Sequence, residues 1–355
     1  MADLTARPSS PDPLEPGAES SRPKLSDVAA LAGVSLRTAS RVLSGAPNVA
    51  ADKREAVEKA ARMLQFQPNR LARELRSGAT SSAVGLVVAN LANPYFSSMA
   101  AAAEDVLQPA GLDLFVGSTN EDPDRERAVV KATLERRTRA MLIVPAAADQ
   151  AYLQFEWRLG TQFVFLDRPP VNLPADAIIG NDREAARDAM LEVISFHDRS
   201  AVIGDVGVAW TDRERVEGVR EAVRASGAPD ESVTIVPNAH DSDIAYASTL
   251  DLLRLPDPPT AFFGLNNLIT VGILRALRDA AGVATVLGFD DSDALDLLGV
   301  STVTLSAAEV GRRGAQRALE RITDPGLEPE RTVLPATRVS RTPLDLPIRF
   351  ASSPR

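Results

Sequence analysis

The stretch Lys24–Gly78, KLSDVAALAGVSLRTASRVLSGAPNVAADKREAVEKAARMLQFQPNRLARELRSG, decides what the front of the chain is. Val28, Leu31 and Ala32 share one face of a first helix, Gly33 and Val34 turn the chain, and Ser35 is suited to cap a second helix. On that second helix Ala39, Val42 and Leu43 face inward, which leaves Leu36, Arg37, Ser40 and Arg41 outward until Gly45 ends it. Val57, Ala60, Ala61 and Leu64 form the apolar stripe of a third helix, which Pro68 stops. Two helices joined so tightly must cross steeply, as in a helix-turn-helix unit.

Charge points to a partner for this unit. Residues 22–78 carry 11 Lys or Arg against 5 Asp or Glu, a net of +6, in a chain whose total is −9. The rest of the chain therefore stands at −15. A basic module on an acidic body is drawn to phosphates by counterion release while the body stays off the duplex. Arg37 and Arg41 lie four residues apart on the exposed face, where each either pairs with guanine in a major groove or touches phosphate only. Leu36 either meets a thymine methyl or packs at the core edge. In RLARELR, which Asn69 can cap, Leu75 is the candidate wedge between base steps in the minor groove, against the reading of an ordinary linker helix. So short a helix is expected to order only on DNA.

Together the DVAALAGVS, RTASRVLSG and QPNRLARELRSG stretches, followed in order by NPYFSSM, RVEGVR and GFDD, make the chain resemble the LacI/GalR-type bacterial transcription regulators from Lys24 to about Arg341. The resemblance implies a homodimer with recognition helices in successive major grooves of a near-palindromic operator. Leu75 matches the intercalating leucine and Arg76 its basic neighbour, while Arg37 and Arg41 match recognition-helix positions. Thr38, Asn48, Asn69 and Ala72 complete the expected DNA contacts. Lys24 and Ala50 stand where the family usually caps its first and third helices with Thr and Ser, at a cost of about 1 kcal/mol per lost cap. Ser26 is a substitute cap if the first helix begins late.

Composition bounds what remains. At 355 residues and 45% apolar content there is room for two or three domains. The absence of cysteine excludes disulfides, thiolate metal sites and a cysteine nucleophile. Neither a secretory leader nor a membrane span is indicated, so a cytoplasmic, nucleoid-associated protein is expected. Residues 1–23, rich in Pro, Ser and acidic residues, read as a disordered tail, 24–67 as the DNA-binding domain, 68–80 as hinge helix and linker, and 346–355 as a second tail.

Between them, residues 81–345 alternate apolar runs with helical stretches: AVGLVVA, LDLFVG, AMLIV, FVFL and AIIG, then SAVIG, SVTIV, TAFFG and VATVLGF. The pattern predicts two parallel, doubly wound α/β sheets and hence two lobes. The resemblance implies a periplasmic-binding-protein-like fold with three crossovers, placing 81–181 and 304–325 in the first lobe and 182–303 and 326–345 in the second. Ligands bind open sheets at the carboxyl ends of strands, so a small molecule is expected between the lobes.

Asn93, Tyr95 and Phe96 follow the first strand, where an aromatic can stack on a ring or be buried in the core. Arg215 is the residue the family aims at effector oxygens, and Asp290 can accept two ligand hydroxyls. Asn266, Trp210 and Thr211 are further expected contacts; Asn267 is read as a helix cap, and His240 as either a contact or a solvated loop residue. Gly180, Ala209 and Leu305, each where the family carries a polar residue, are expected to make the cleft less polar. A sugar or sugar derivative is the first choice of effector, with a purine or other planar metabolite as rival. Two histidines and the absence of GxGxxG and GxSxG motifs leave little for catalysis, and no cofactor is expected. The Asp-rich DDSD run lacks the glycine and glutamate of a calcium loop, so no metal is expected either. A small-molecule receptor without specific DNA binding is the rival class.

Overall fold

The computed structural model describes residues 23–66, 81–205 and 209–350. It falls into two compact units, 1–80 and 81–355. In the first, helices α1 (Leu25–Leu31), α2 (Leu36–Leu43) and α3 (Ala51–Met63) bury Val28, Ala29, Ala39, Val42, Val57 and Ala60 against one another. Gly33 makes the turn at φ +64, a conformation that costs a residue with a Cβ. Ser35 caps α2, its Oγ accepting the Thr38 N–H at 3.1 Å. Helix α1 begins at Leu25, so Ser26 is not its cap; instead the Asp27 carboxylate accepts the Lys24 backbone N–H at 2.8 Å. Ala50 gives α3 no side-chain cap. Leu31, expected inside, is half exposed, because Ala29 takes the buried place on α1.

The second unit holds two six-stranded sheets. The first contains β1 (Ala83–Val88), β2 (Asp113–Ser118), β3 (Ala140–Ile143), β4 (Gln162–Asp167), β5 (Asp176–Gly180) and β11 (Arg331–Leu334), in the order β11-β5-β4-β3-β1-β2, all parallel. The second contains β6 (Ser200–Ile203), β7 (Val233–Val236), β8 (Ala261–Gly264), β9 (Thr285–Phe289), β10 (Ser301–Thr304) and β12 (Thr337–Val339), in the order β12-β10-β9-β8-β6-β7. It is not wholly parallel, since β12 runs antiparallel to β10. Strands buried on both faces need continuous apolar runs, and β1, β3, β4, β8 and β9 are buried throughout.

Two boundaries differ from the expectation. β11 pairs with β5 and so belongs to the first lobe, although 326–345 was assigned to the second; its apolar residues complete the open edge beside β5. Residues 346–350 are not a loose tail, because Ile348 pairs with Ala284 and Phe350 packs on the second lobe's core.

Helix packing is close where side chains vanish. A Cβ on Gly311 of α12 (Ala307–Thr323) would stand 2.1 Å from the Met99 carbonyl oxygen of α4 (Pro94–Leu107). Asp176, fully buried, accepts from Arg317 at 3.0 Å, from Arg321 at 2.5 Å and from the Glu330 N–H at 2.8 Å, which pins α12 to the first sheet. Two crossovers are laced together: the Asn181 N–H donates to the Leu334 carbonyl at 3.2 Å, and the Asn181 side-chain oxygen accepts the Ala336 N–H at 2.7 Å.

Candidate functional site

In the first unit, α2 presents Leu36, Arg37, Ser40 and Arg41 to solvent. Arg37 makes no hydrogen bond or ion pair to the described residues, so its fork is available to a base edge or a phosphate. Arg41 donates to the Asn48 carbonyl at 2.9 Å, which orients it and joins the loop after α2 to the same face. The Thr38 hydroxyl is engaged with Ser35 Oγ at 2.8 Å, so it serves the cap of this helix. Asn69, Ala72, Leu75 and Arg76 lie outside the described residues.

In the second unit, a cleft opens at the carboxyl ends of the strands of both lobes, lined by Asn93, Tyr95, Phe96, Thr211, Arg215, His240, Asn266 and Asp290 among others. From the first lobe, Asn93 caps α4, accepting the Tyr95 N–H at 3.0 Å, which presents the next two residues at the helix start. Tyr95 and Phe96 stand edge to face at 5.3 Å, both buried, and the Tyr95 hydroxyl donates to Asp167 at 2.9 Å. Burial, with Asp167 next, holds the Tyr95 phenol well above its ordinary value. Asp167 ends β4 and Asp290 directly follows β9, both at positive φ, a turn Asp tolerates better than most residues.

From the second lobe, α8 (Trp210–Ser226) buries Thr211, Asp212 and Arg215 on one face. Arg215 donates to Asp182 at 2.7 Å, to the Leu265 carbonyl at 2.5 Å and to Asp290 at 3.3 Å, with its guanidinium 3.6 Å above the Phe289 ring centroid. Burial pushes the Asp290 carboxyl up to about 7 despite Arg215, and Asp212 up to about 6. Asp182 is raised for the same reason. Arg215 stays charged: burial works against its charge, but Asp290, Asp182 and Asp212 more than offset it.

Several expectations need correction. Trp210 does not line the cleft; as the first residue of α8 it turns away to pack on the first lobe's core and lines a separate hollow with Gly180 and Arg331. Asn266, not Asn267, caps α10 (Asn267–Asp279), accepting the Ile269 N–H at 2.9 Å, while it also lines the cleft. Asn267 instead reaches across the lobes to donate to Asn93 at 2.9 Å. Of the three apolar replacements only Ala209 lines the cleft; Leu305 is buried at the crossover beside Gly180. In the DDSD run of residues 290–293, the Asp291 carboxylate is held by Arg341 at 2.7 and 2.9 Å. His197 ties Thr260 to the Leu344 carbonyl and is structural.

Sequence reasoning missed Glu121, Asp167, Arg168, Asp205 and Asp212, all of which line the cleft. Arg168 grips Glu121 with both Nη atoms at 2.6 Å. Asp167 directly follows the apolar run FVFL, with Arg168 next to it, and Asp205 comes one glycine after AVI, close to the signal that singled out Asp290. The cavity is about 90 Å³, below the roughly 300 Å³ at which ligand pockets begin.

The description "Bacterial regulatory proteins, lacI family" matches residues 24–69, and "Periplasmic binding protein-like domain" matches 196–342. The HTH-type transcriptional repressor PurR of Mannheimia succiniciproducens is 26% identical over 84% of this chain and 91% of that protein. A solved transcriptional regulator from Silicibacter pomeroyi superposes with a TM-score of 0.78 at 24% identity, covering 90% of this chain and 99% of its own. A ribose-bound LacI family regulator from Enterococcus faecium does so at 0.66 and 22%, covering 74% and 99%. Below 25% identity these two likenesses bear on the fold alone.

Proposed function

We propose that the chain, whose two parts match the lacI-family and periplasmic-binding-protein-like descriptions, is a LacI-family repressor whose hold on operator DNA is set by a small molecule bound between its lobes. The observation that carries this is the joining, in one chain, of a helix-turn-helix unit with exposed Arg37 and Arg41 to a two-lobed domain whose strand ends converge on Arg215 and Asp290. Arg37 reads base edges from α2, with Leu36 beside it and Arg41 and Asn48 on the flanking backbone. Asn69, Ala72, Leu75 and Arg76 are assigned to the hinge contact on the sequence pattern alone.

The working unit is a homodimer, with two recognition helices about one DNA turn apart. Ser98 and Asp293 line one groove of about 860 Å³ at the lobes' edge, which supports placing the partner there. Effector binding biases the rotation of the lobes and so the spacing of the two 68–80 segments across the dimer. Asn93, Tyr95, Phe96, Thr211, Arg215, His240, Asn266 and Asp290 hold the effector, a sugar or sugar derivative, whose hydroxyls suit the Asp, Asn and Arg groups around the aromatic pair. No residue set in the cleft is assigned a catalytic role, and no described helix is long and apolar enough to cross a membrane. We place the protein in the cytoplasm, on the nucleoid.

The test is gel retardation of the fragment upstream of the chain's own gene, over a salt series. Retardation that weakens steeply with salt and exceeds that of random duplex is expected. Equal binding of both duplexes, with and without candidate metabolites, overturns the reading.

A further inference from the structure

Resting on the effector reading above, the cleft's charge pattern says what kind of molecule it takes. Glu121, Asp167, Asp205, Asp212 and Asp290 line it and Asp182 touches Arg215 from behind, six acidic side chains against the two guanidinium groups of Arg168 and Arg215, an excess of acid even with Asp290 partly protonated. Both guanidinium groups are already engaged. Arg168 is forked onto Glu121 and also donates to the Pro145 carbonyl, while Arg215 is shared among Asp182, Asp290 and Leu265. His240, mostly exposed beside Asp241 at 3.8 Å, does not redress the balance.

Helix starts are anion sites when their N–H groups are open, and three helices begin at this cleft. Here Asn93 caps α4, Asn266 caps α10, and the carboxylate of Asp212 occupies the first turn of α8. Asp212 accepts the Asp205 N–H at 2.7 Å, and Asp205 has no cation within 4.0 Å among the described residues. The walls are therefore rich in acceptors and short of free cations.

We infer that the cleft takes an effector with no anionic group and many hydrogen-bond donors, a neutral polyhydroxylated or amino-bearing ring, and excludes phosphorylated and carboxylated forms. A phosphate adds negative charge to a cleft whose two guanidinium groups are already committed to its own carboxylates. Discrimination thus arises by repulsion as well as by fit. Asp205 and Asp212 are the residues that set it.

The experiment is a thermal-shift screen of the full chain followed by calorimetric titration, using matched sets: glucose, glucosamine, glucose 6-phosphate and glucuronate; ribose and ribose 5-phosphate; adenosine and its monophosphate. Stabilising compounds are expected only among the neutral and amino forms, with phosphorylated counterparts at least about 100-fold weaker. In Asp205→Asn and Asp212→Asn, checked for folding by circular dichroism, that gap narrows about tenfold. A phosphorylated or carboxylated compound binding as tightly as its parent, or an unchanged gap in both variants, overturns the inference and leaves the effector reading standing. If no compound in any form shifts the melting temperature, the effector reading falls and this inference with it.

Discussion

Replacing Arg215 by Met removes the cation that two buried carboxylates share while keeping much of the side-chain volume. Arg215, Asp182 and Asp290 are all nearly inaccessible to solvent, so water cannot take over the lost interaction. Removing one partner of a buried ion network costs about 3–5 kcal/mol, because it strands the remaining charge. The carboxylates have an escape. Asp290 already titrates near 7 with Arg215 present, and without it both Asp290 and Asp182 rise further.

A carboxylate whose folded value lies above its unfolded value of about 3.9 takes up protons on folding. Its contribution is therefore full below that unfolded value and is lost as pH rises through the folded one. At pH 5 the variant's acids are protonated, and the cost shrinks to the lost cation–π contact and hydrogen bonds, about 1–2 kcal/mol. At pH 8 the full penalty of about 3–5 kcal/mol returns. Urea unfolding followed by the fluorescence of Trp157 and Trp210 at both pH values measures the gap from the parent chain. A gap that is constant, or smaller at pH 8, would falsify the shared-cation reasoning. Adding Asp290→Asn to Arg215→Met should recover part of the loss at pH 8 and little at pH 5.

Asp27→Ala should lower the stability of the helix-turn-helix unit by about 1 kcal/mol, since it frees the Lys24 N–H that no other side chain caps; a melt of the isolated head-piece signal that does not move argues against it. Gly311→Ala should destabilise the second unit by about 1–3 kcal/mol, because the new methyl meets the Met99 backbone rather than a side chain that can yield. An unchanged unfolding midpoint would contradict that packing. Arg37→Ala should reduce operator affinity by about 1–3 kcal/mol and relax preference at one base pair, whereas loss that is uniform across sequences marks a phosphate contact.

Much of this architecture is legible in sequence because it rests on local patterns. The apolar runs from Ala83 to Phe289 became strands since a doubly covered sheet tolerates little else, and the sharp Gly33 turn announced the crossing of α1 and α2. The cleft was legible where a residue closes an apolar run, as with Asn93 and Asp290. What escaped depends on partners far away in the chain. Arg168 and Glu121 look like loop charges until the fold brings them to 2.6 Å, and nothing adjacent tells Asn266 from Asn267. The short β11 and β12 carry too few residues for a period to show, so the lobe assignment of 331–334 had to come from their pairing.

The bonds between Asn181 and the 334–336 segment also govern how the halves can move. Loose tethers would let the lobes splay apart in any direction. Stitched side by side, these two passages have to turn together in any rotation of the lobes that keeps both bonds.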